Sequence, residues 1–328
     1  MTLRETFKAV MNFEKPSRLP AIEWATWWDK TTSRWQAEGM PGNANIMKYF
    51  GLDIHQQYWF NPMSNTAPRP MYHGSGILTD LTPVAYRELK PHLFPADAVQ
   101  RSRESIIEWA NRQKTGDVLV WITLEGFFWF PRQLMGIHNH LYAFYDEPEL
   151  MHMINKDLLD FNMRILDEFC DLCIPDFMTF AEDMSYNNGP MISKTLFDEF
   201  MVPYYKDIIK KLNGIEIVLD TDGDITQLIP WFEEIGITAF LPLERQAGVD
   251  LLQIRERHPR LRLIGGFDKT IMHMGEDALR AEFERLLPIM KQGGFIPSVD
   301  HQTPPAVSLT DYKLYAKLLK KYCEYSPI

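Results

Sequence analysis

The sequence contains few cysteines, no surplus of basic residues and no long apolar run. Three cysteines among 328 residues are too few for a disulfide framework. The formal net charge of −10 argues against a nucleic-acid partner, which requires a basic face. No run approaches the ~20 apolar residues that cross a bilayer, and residues 1–20 lack the apolar stretch of a signal peptide. These absences predict a cytoplasmic protein without nucleic-acid or membrane partners.

The sequence also lacks two kinds of cofactor motif. Cys170 and Cys173 have the spacing of half a zinc site, but no second pair follows. We therefore interpret them as structural thiols at the end of a helix. No glycine-rich GxGxxG or GxxxxGK[ST] loop follows a predicted strand, which argues against a doubly wound nucleotide-binding fold.

Short strand-like runs alternate with longer amphipathic segments along most of the chain. Such alternation predicts parallel strands joined by crossover helices. Seven strands, with one unresolved, favour an α/β fold of the (β/α)8 TIM-barrel type over an open sheet. The predicted strands are Pro20–Trp24, Val118–Leu124, Phe177–Ala181, Glu216–Leu219, Thr238–Leu243, Arg262–Gly265 and Gly294–Ser298.

A segment near the amino terminus interrupts this alternation. Residues 40–95 are rich in proline, asparagine, glycine and aromatic residues. We interpret this range as a peripheral insertion after the first strand, forming a hairpin or lid beside the barrel mouth. No shift in composition marks a second domain, so residues 1–328 are predicted to form a single domain.

Each predicted strand ends at an acidic residue. In a barrel, the chemistry collects at the carboxyl ends of the strands. A single acid there is commonly a helix cap. Caps are as readily Ser or Thr, however, so an acid at every strand end predicts a shared site. The acids are Glu23, Glu125, Glu182, Asp220 with Asp222, Glu244, Asp268 and Asp300, the last of which precedes His301.

Two of these strand ends carry the predicted chemistry. Asp220 and Asp222 are two residues apart, so their side chains face the same way in an extended chain. Gly223 permits the sharp turn that follows them. Asp300 and His301 likewise stand together at the end of the last strand. We predict that these four polar residues are catalytic, either as ligands of a divalent metal such as zinc or as proton donors without a metal.

The remaining strand-end acids and four tryptophans are predicted to bind the substrate. Aromatic residues at a barrel mouth either pack a lid or provide a wall for a flat ligand or cofactor, and both interpretations stay open. The predicted substrate-binding residues are Glu23, Trp24, Trp27, Trp28, Glu125, Trp129, Glu182, Glu244 and Asp268.

Five segments of the sequence carry a resemblance to a known family. They are LFDEFMVPYYKDI, DTDGD, PLE at 242–244, GGFDK at 265–269 and GGFIPSVDHQTPPAVSLTDYKLY. Together they resemble the uroporphyrinogen decarboxylase superfamily, which implies a (β/α)8 barrel. The superfamily contains the haem-pathway decarboxylase and corrinoid-dependent methyltransferases, which move methyl groups between small molecules and a cobalamin-bearing protein. The resemblance therefore implies one of these two activities.

The sequence departs from both branches at their functional motifs. The decarboxylase holds the carboxylates of its tetrapyrrole with paired arginines, but the matching stretch here contains Glu23 and tryptophans, with only Arg34 nearby. Its catalytic aspartate falls near Asn61. The thiol-directed methyltransferases bind zinc through a His-x-Cys pair and a later Cys, whereas the pair here is Asp220 and Asp222. We therefore expect neither uroporphyrinogen decarboxylation nor a thiolate-bound zinc.

These features predict a corrinoid-dependent methyltransferase that demethylates a small methyl donor and passes the methyl group to the cobalt of a corrinoid protein. A methoxylated aromatic donor fits O-demethylation, because an ether oxygen leaves as phenolate only if it is protonated or bound to a Lewis acid. Crowded carboxylates have raised pKa values and supply such protons. A decarboxylase of a smaller or less anionic substrate and a non-enzymatic corrinoid- or tetrapyrrole-binding module are the alternatives. A homodimer stays open beside a monomer.

Overall fold

Seven parallel strands form one curled sheet in the computed structural model, which describes residues 1–72, 74–212 and 214–325. The strands are β1 (Ile54–Phe60), β2 (Val118–Glu125), β3 (Phe177–Ala181), β4 (Ser185–Tyr186), β5 (Gly189–Pro190), β6 (Glu216–Asp220), β7 (Ala239–Leu241), β8 (Arg262–Phe267) and β9 (Phe295–Val299). The sheet order is β1-β2-β3-β6-β7-β8-β9, and β4 and β5 form a separate antiparallel hairpin. This architecture is compatible with a TIM-barrel-like fold.

Fourteen α-helices lie within the described ranges, most of them in the connections between strands. They are α1 (Leu3–Met11), α2 (Asp29–Ala37), α3 (Ile46–Phe50), α4 (Pro83–Leu89), α5 (Arg103–Gln113), α6 (Trp129–Met135), α7 (Ile137–Asp146), α8 (Pro148–Cys170), α9 (Lys194–Phe200), α10 (Val202–Leu212), α11 (Leu228–Glu233), α12 (Leu251–Arg257), α13 (Glu276–Met290) and α14 (Leu309–Tyr325). Of the helices described, none is both long enough and apolar enough to cross a membrane.

Local sequence signals explain where several helices begin. Thr2 and Glu5 form a reciprocal capping box at the start of α1, and the side chain of Asp250 accepts two backbone N–H groups at the start of α12. Such caps satisfy N–H groups that have no partner within the helix. The helices then bury their apolar faces in a core whose residues extend from Leu3 to Cys323.

The central strands are buried along their whole length. All eight residues of β2 and all five residues of β3 are buried. This pattern is typical of parallel strands that are covered on both faces. Six of the seven predicted strands are confirmed, with ends that differ from the structure by at most two residues.

The first predicted strand was misplaced. The first strand of the sheet is β1, which lies inside residues 40–95, so that range as a whole is not a peripheral insertion. Its sequence IHQQYWF contains two glutamines, which interrupt the apolar pattern expected of a buried strand. In the structure it pairs with β2 through all seven residues. A lid function for the rest of the range and the single-domain organisation remain predictions.

Residues 20–24 instead form an extended segment between the two edges of the sheet. The carbonyl of Ala21 accepts the N–H of Asp53 at 3.0 Å, just before β1. The indole N–H of Trp24 donates to the carbonyl of Val299 in β9 at 2.7 Å. The segment therefore connects both edge strands, and it brings Trp24 to the carboxyl ends of the strands.

Candidate active site at the strand ends

A cavity of about 730 Å³ opens at the carboxyl ends of β1, β2, β3 and β6. Its volume lies within the range of small-molecule sites. Four carboxyl groups and three indole rings dominate its wall. The lining residues are Trp24, Ala25, Thr26, Gln57, Trp59, Asn61, Glu125, Trp129, Gln133, Ala181, Asp183, Asp220, Asp222, His301 and Gln302.

Glu125, the last residue of β2, is 1% exposed and lines this cavity. Its Oε1 accepts a hydrogen bond from the indole Nε1–H of Trp59 at 3.0 Å. Its Oε2 is buried and has no hydrogen-bond partner in the part of the chain that the structure describes. Burial raises the pKa of Glu125 to about 7; the Trp59 hydrogen bond opposes this rise and the charge of Asp183 adds to it. Near neutral pH this side chain is therefore partly a carboxylic acid, and one of its oxygens has no hydrogen-bond partner among the described residues.

Asp183 and Asp220 lie beside this acid. Burial and, to a smaller extent, the charge of the neighbouring Asp222 carboxylate raise the pKa of Asp183 to about 6. Burial, followed by the charges of Asp183, Asp222 and Glu125, also raises the pKa of Asp220 well above its ordinary range. The prediction that crowding raises the pKa values of these carboxyls is thus confirmed in direction.

Asp222, Glu244 and His301 form a second cluster at the edge of the cavity. Nε2 of His301 lies 3.5 Å from Oδ2 of Asp222, and the hydrogen bond to Asp222 raises the pKa of His301. Oε1 of Glu244 contacts Nζ of Lys269 at 2.9 Å, and its Oε2 accepts the N–H of Gly223 at 3.1 Å.

These three side chains are the candidate metal ligands. Each offers one ligand atom, and the three atoms lie within 4.8 Å of one another. Two carboxylate oxygens and one imidazole nitrogen are a donor set that suits zinc and related divalent ions. Of the residues predicted as ligands, Asp222 and His301 belong to this cluster, whereas Asp220 lies beside Glu125 and Asp183.

Asp300 does not fit the catalytic and ligand role predicted for it. Its side chain is 0% exposed. Oδ2 accepts the backbone N–H of Arg245 at 2.9 Å, and Oδ1 accepts that of Lys269 at 3.0 Å. Both oxygens are therefore used to join the loops after β7 and β8. The sequence could not indicate this role, because the two N–H groups come from distant segments.

Glu182 is not among the cavity-lining residues, and its carboxylate is used in hydrogen bonds to the backbone. Its carboxylate accepts the backbone N–H groups of residues 127–129 at 2.8 to 3.1 Å, at the start of α6. It also accepts a hydrogen bond from the hydroxyl of Tyr205. A Cβ atom at Gly126 would lie 2.1 Å from the Glu182 carboxyl carbon. Burial raises the pKa of Glu182 to about 8 despite these donors. This acid caps a helix rather than facing a substrate.

Glu23 and Asp268 are likewise engaged away from the cavity lining. Oε1 of Glu23 accepts the hydroxyl of Tyr315 at 2.6 Å, and burial raises the pKa of Glu23 to about 7. Oδ1 of Asp268 accepts both the N–H and the hydroxyl of Thr270, at 2.8 and 2.6 Å. The substrate contacts predicted for these two residues do not fit these positions.

Two of the four predicted tryptophans line the cavity, namely Trp24 and Trp129. Trp27 instead packs against the rings of Trp35 and Tyr312, at centroid distances of 6.5 and 6.1 Å. Trp28 is 43% exposed and precedes α2.

Nine of the fifteen lining residues are absent from the predicted site, and two of them, Trp59 and Asp183, interact with its acids. Trp59 was overlooked because it lies in β1, inside the range assigned to an insertion. Asp183 was passed over in favour of its neighbour Glu182. No local signal separates these two acids, because β3 ends at Ala181 and the side-chain alternation of a strand does not extend to Asp183, whose φ is 39°.

Comparison with solved structures shows a shared fold. A methyltransferase from Methanosarcina mazei is similar at a TM-score of 0.68 and 15% sequence identity, over 98% of this chain and 99% of that chain. A uronate isomerase from Bacillus halodurans C-125 shares 11% identity over 99% of this chain and 89% of the other, at a TM-score of 0.30, too low to support an argument. The first likeness, at this identity, concerns the fold alone.

Comparison with protein families is more specific. No curated protein matches this sequence. The model of the family described as uroporphyrinogen decarboxylase (URO-D) matches residues 95–322, which is well over half of the chain and includes all four acids of the cavity lining. The chain therefore belongs to the uroporphyrinogen decarboxylase family.

Proposed function

We propose that this protein is a corrinoid-dependent methyltransferase that O-demethylates a small methoxylated aromatic compound. The methyl group passes to the cobalt of a corrinoid carried by a partner protein. The observation that supports this proposal most directly is Glu125, a buried acid of the cavity lining whose Oε2 lacks a hydrogen-bond partner within the described part of the chain. The fold and the family membership are consistent with a methyltransferase.

Glu125 supplies what an aryl ether needs in order to leave. As the O–CH₃ bond breaks and the reduced cobalt provides the electron pair of the new bond to carbon, the proton on Oε2 moves to the ether oxygen, and a neutral phenol departs. A positioned acid of this kind contributes a factor on the order of 10² to 10⁴ in rate. Burial and the charge of the nearby Asp183 disfavour the ionised form of Glu125, which promotes its reprotonation from solvent.

The charge of the cavity favours a neutral donor. Its wall contains four carboxyl groups and one imidazole, so a substrate with several carboxylates would meet repulsion at short range. The indoles of Trp24, Trp59 and Trp129 provide flat apolar surface for an aromatic ring. This combination supports a methoxyphenol over uroporphyrinogen.

A divalent metal would be held by Asp222, Glu244 and His301. Such an ion, when bound, supplies Lewis-acid polarisation of the donor oxygen. The donor set fits this role, although the ammonium group of Lys269 contacts Oε1 of Glu244 and competes for that oxygen. The cluster would then orient the donor, while Glu125 holds the proton.

The proposal is tested with purified protein, chemically reduced cobalamin and a panel of methoxyphenols. We expect the absorbance of methylcobalamin to appear together with an equal amount of the demethylated phenol. Release of carbon dioxide from candidate carboxylic acids without methyl transfer would instead establish a decarboxylase of a smaller or less anionic substrate. A bound tetrapyrrole absorbance without any turnover would establish a binding module.

A further inference from the structure

We propose that Trp59 is a positioning residue that assigns the proton of Glu125 to Oε2, the carboxyl oxygen that has no hydrogen-bond partner among the described residues. The inference rests on the proposed function for its catalytic meaning and on three structural observations for its physical basis. These are the Trp59–Glu125 hydrogen bond, the lack of a partner at Oε2, and the exposure of the Trp59 ring.

The hydrogen bond distinguishes the two oxygens of Glu125. Indole Nε1–H is a donor only, and at 3.0 Å it points its hydrogen at Oε1. In a neutral carboxylic acid, the carbonyl oxygen is the better acceptor and the hydroxyl oxygen is the donor. A donor-only partner on Oε1 therefore makes Oε1 the carbonyl oxygen and leaves the proton on Oε2.

The opposite oxygen is placed to use that proton. Glu125 lines the cavity, and its Oε2 is buried and has no hydrogen-bond partner among the described residues. Leaving a buried polar atom unpaired is costly, so a ligand that supplies an acceptor there is favoured. An ether oxygen is an acceptor without a hydrogen to donate. An ether-type methyl donor therefore suits a Glu125 whose proton is held on Oε2 by the Trp59 hydrogen bond.

Trp59 is suited to this task by its place in the sheet. It lies in the edge strand β1, paired with Thr123 of the neighbouring β2, two residues before Glu125. Its side chain is 51% exposed and lines the cavity, so core packing does not account for its orientation. One edge of the ring holds the acid, and its faces remain available to an aromatic ligand.

The titratable groups around Glu125 set the direction of the expected pH effect. Burial and the charge of Asp183 raise the pKa of Glu125, whereas the Trp59 hydrogen bond lowers it. The pKa of Asp220 responds in turn to the charge of Glu125. Removing the indole N–H therefore raises the pKa of Glu125 further, and the acid keeps its proton to a higher pH while losing its fixed orientation.

Infrared difference spectroscopy tests this inference without a methyl donor or corrinoid. The carboxylic C=O band that disappears on raising the pH, and is missing in Glu125→Gln, reports the protonated acid. We expect Trp59→Phe to move the midpoint of this band upward by roughly 0.5 to 1 pH unit. Trp129→Phe removes another cavity indole and is the matched control, with its midpoint unchanged.

Activity measurements supply the second arm. In Trp59→Phe, we expect kcat to fall and the alkaline limb of the pH profile to move with the infrared midpoint, whereas Trp129→Phe changes KM without moving that limb. Trp59→His retains a ring N–H donor and should restore part of the wild-type midpoint. Equal midpoints in wild type and both Trp59 variants would overturn the inference. Failure of the wild type to transfer methyl groups would overturn the proposed function instead, while the infrared result still decides the role of Trp59.

Discussion

The backbone N–H of Asp222 donates a hydrogen bond to Oδ1 of Asp183 over 3.3 Å. This contact joins the residues that follow β3 to those that follow β6 and places two acids on the same side of the cavity. Asp183 adopts a φ of 39°, in the left-handed region that is unfavourable for residues other than glycine. Backbone strain of this kind persists where the surrounding structure over-determines it, and it clusters at functional sites.

Replacing Asp183 with glycine should therefore stabilise the protein while impairing the site. Asp183→Gly removes the strained φ together with a half-buried carboxyl whose hydrogen bond from the Asp222 N–H is long, at 3.3 Å, so we expect the free energy of unfolding at pH 8 to rise by about 1 kcal/mol. Methyl transfer should fall. Asp183→Asn retains the strain and is the control. Urea unfolding of the wild type, Asp183→Gly and Asp183→Asn measures this difference. A Gly variant less stable than the Asn variant would show that backbone strain is not the main destabilising contribution at this position.

Asp300 should behave as a structural residue. Asp300→Asn leaves one of two backbone N–H groups without an acceptor, so we expect a loss of ~1–3 kcal/mol in the free energy of unfolding with turnover per folded molecule retained. Asp277→Asn, an exposed change on α13, is the control. A stable Asp300→Asn protein that has lost turnover would restore the catalytic role first predicted for it.

The six buried strands were predictable because parallel strands covered on both faces are continuous apolar runs. The strand β1 was not, since Gln56 and Gln57 interrupt its apolar pattern and Gln57 bonds to Thr123 only in the folded sheet, at 2.7 Å. Pro20–Trp24, by contrast, has the composition of a strand, but it contacts the sheet edges through separate hydrogen bonds to Asp53 and Val299 and not through a regular strand ladder. Local pattern alone does not separate these cases.

The location of the site was predictable from the sequence. Which of its acids line the cavity and which bind backbone N–H groups was not. The end of every predicted strand carries an acid, and only the tertiary structure shows which acids meet backbone N–H groups. Glu182 and Asp300 receive such donors from segments distant in sequence, whereas Glu125 retains an oxygen without a partner among the residues that the structure describes. Asp220 and Asp222 were assigned to one side by strand alternation, and both line the cavity.

The metal cluster is tested by equilibrium binding of zinc and by chelation. If Asp222, Glu244 and His301 hold an ion, His301→Gln should weaken zinc binding and lower methyl transfer by a factor on the order of 10² to 10⁴. Its melting temperature should change little, because polar sites in contact with solvent rarely cost more than ~0.5 kcal/mol. His258→Gln, which alters a histidine paired with Glu233, is the control. Activity that survives chelators, with no zinc bound, would favour the metal-free mechanism.

Stability should depend on pH through Glu125. Its folded-state pKa is about 7 against an ordinary value of 4.5, so the folded state retains a proton that the unfolded chain has released. The stability contributed by this group is therefore present below about pH 4.5 and is lost as the pH rises through 7. Between pH 5 and pH 8, the free energy of unfolding of the wild type should fall more than that of Glu125→Gln, by on the order of 2 kcal/mol.

Denaturant unfolding at a series of pH values measures this difference. Glu149→Gln, an exposed change near the start of α8, should retain the wild-type slope. Parallel slopes for wild type and Glu125→Gln would mean that Glu125 titrates near its ordinary range and is ionised at neutral pH.

The most direct measurement follows a methyl-labelled methoxyphenol in the presence of reduced cobalamin, with carbon-13 magnetic resonance as the readout. The account predicts that the labelled methyl group appears on cobalt in an amount equal to the demethylated phenol, and that the rate falls by a factor on the order of 10² to 10⁴ in Glu125→Gln but not in Glu149→Gln. A label that stays on the donor with the wild-type protein, or a Glu125→Gln variant as fast as the wild type, would contradict it.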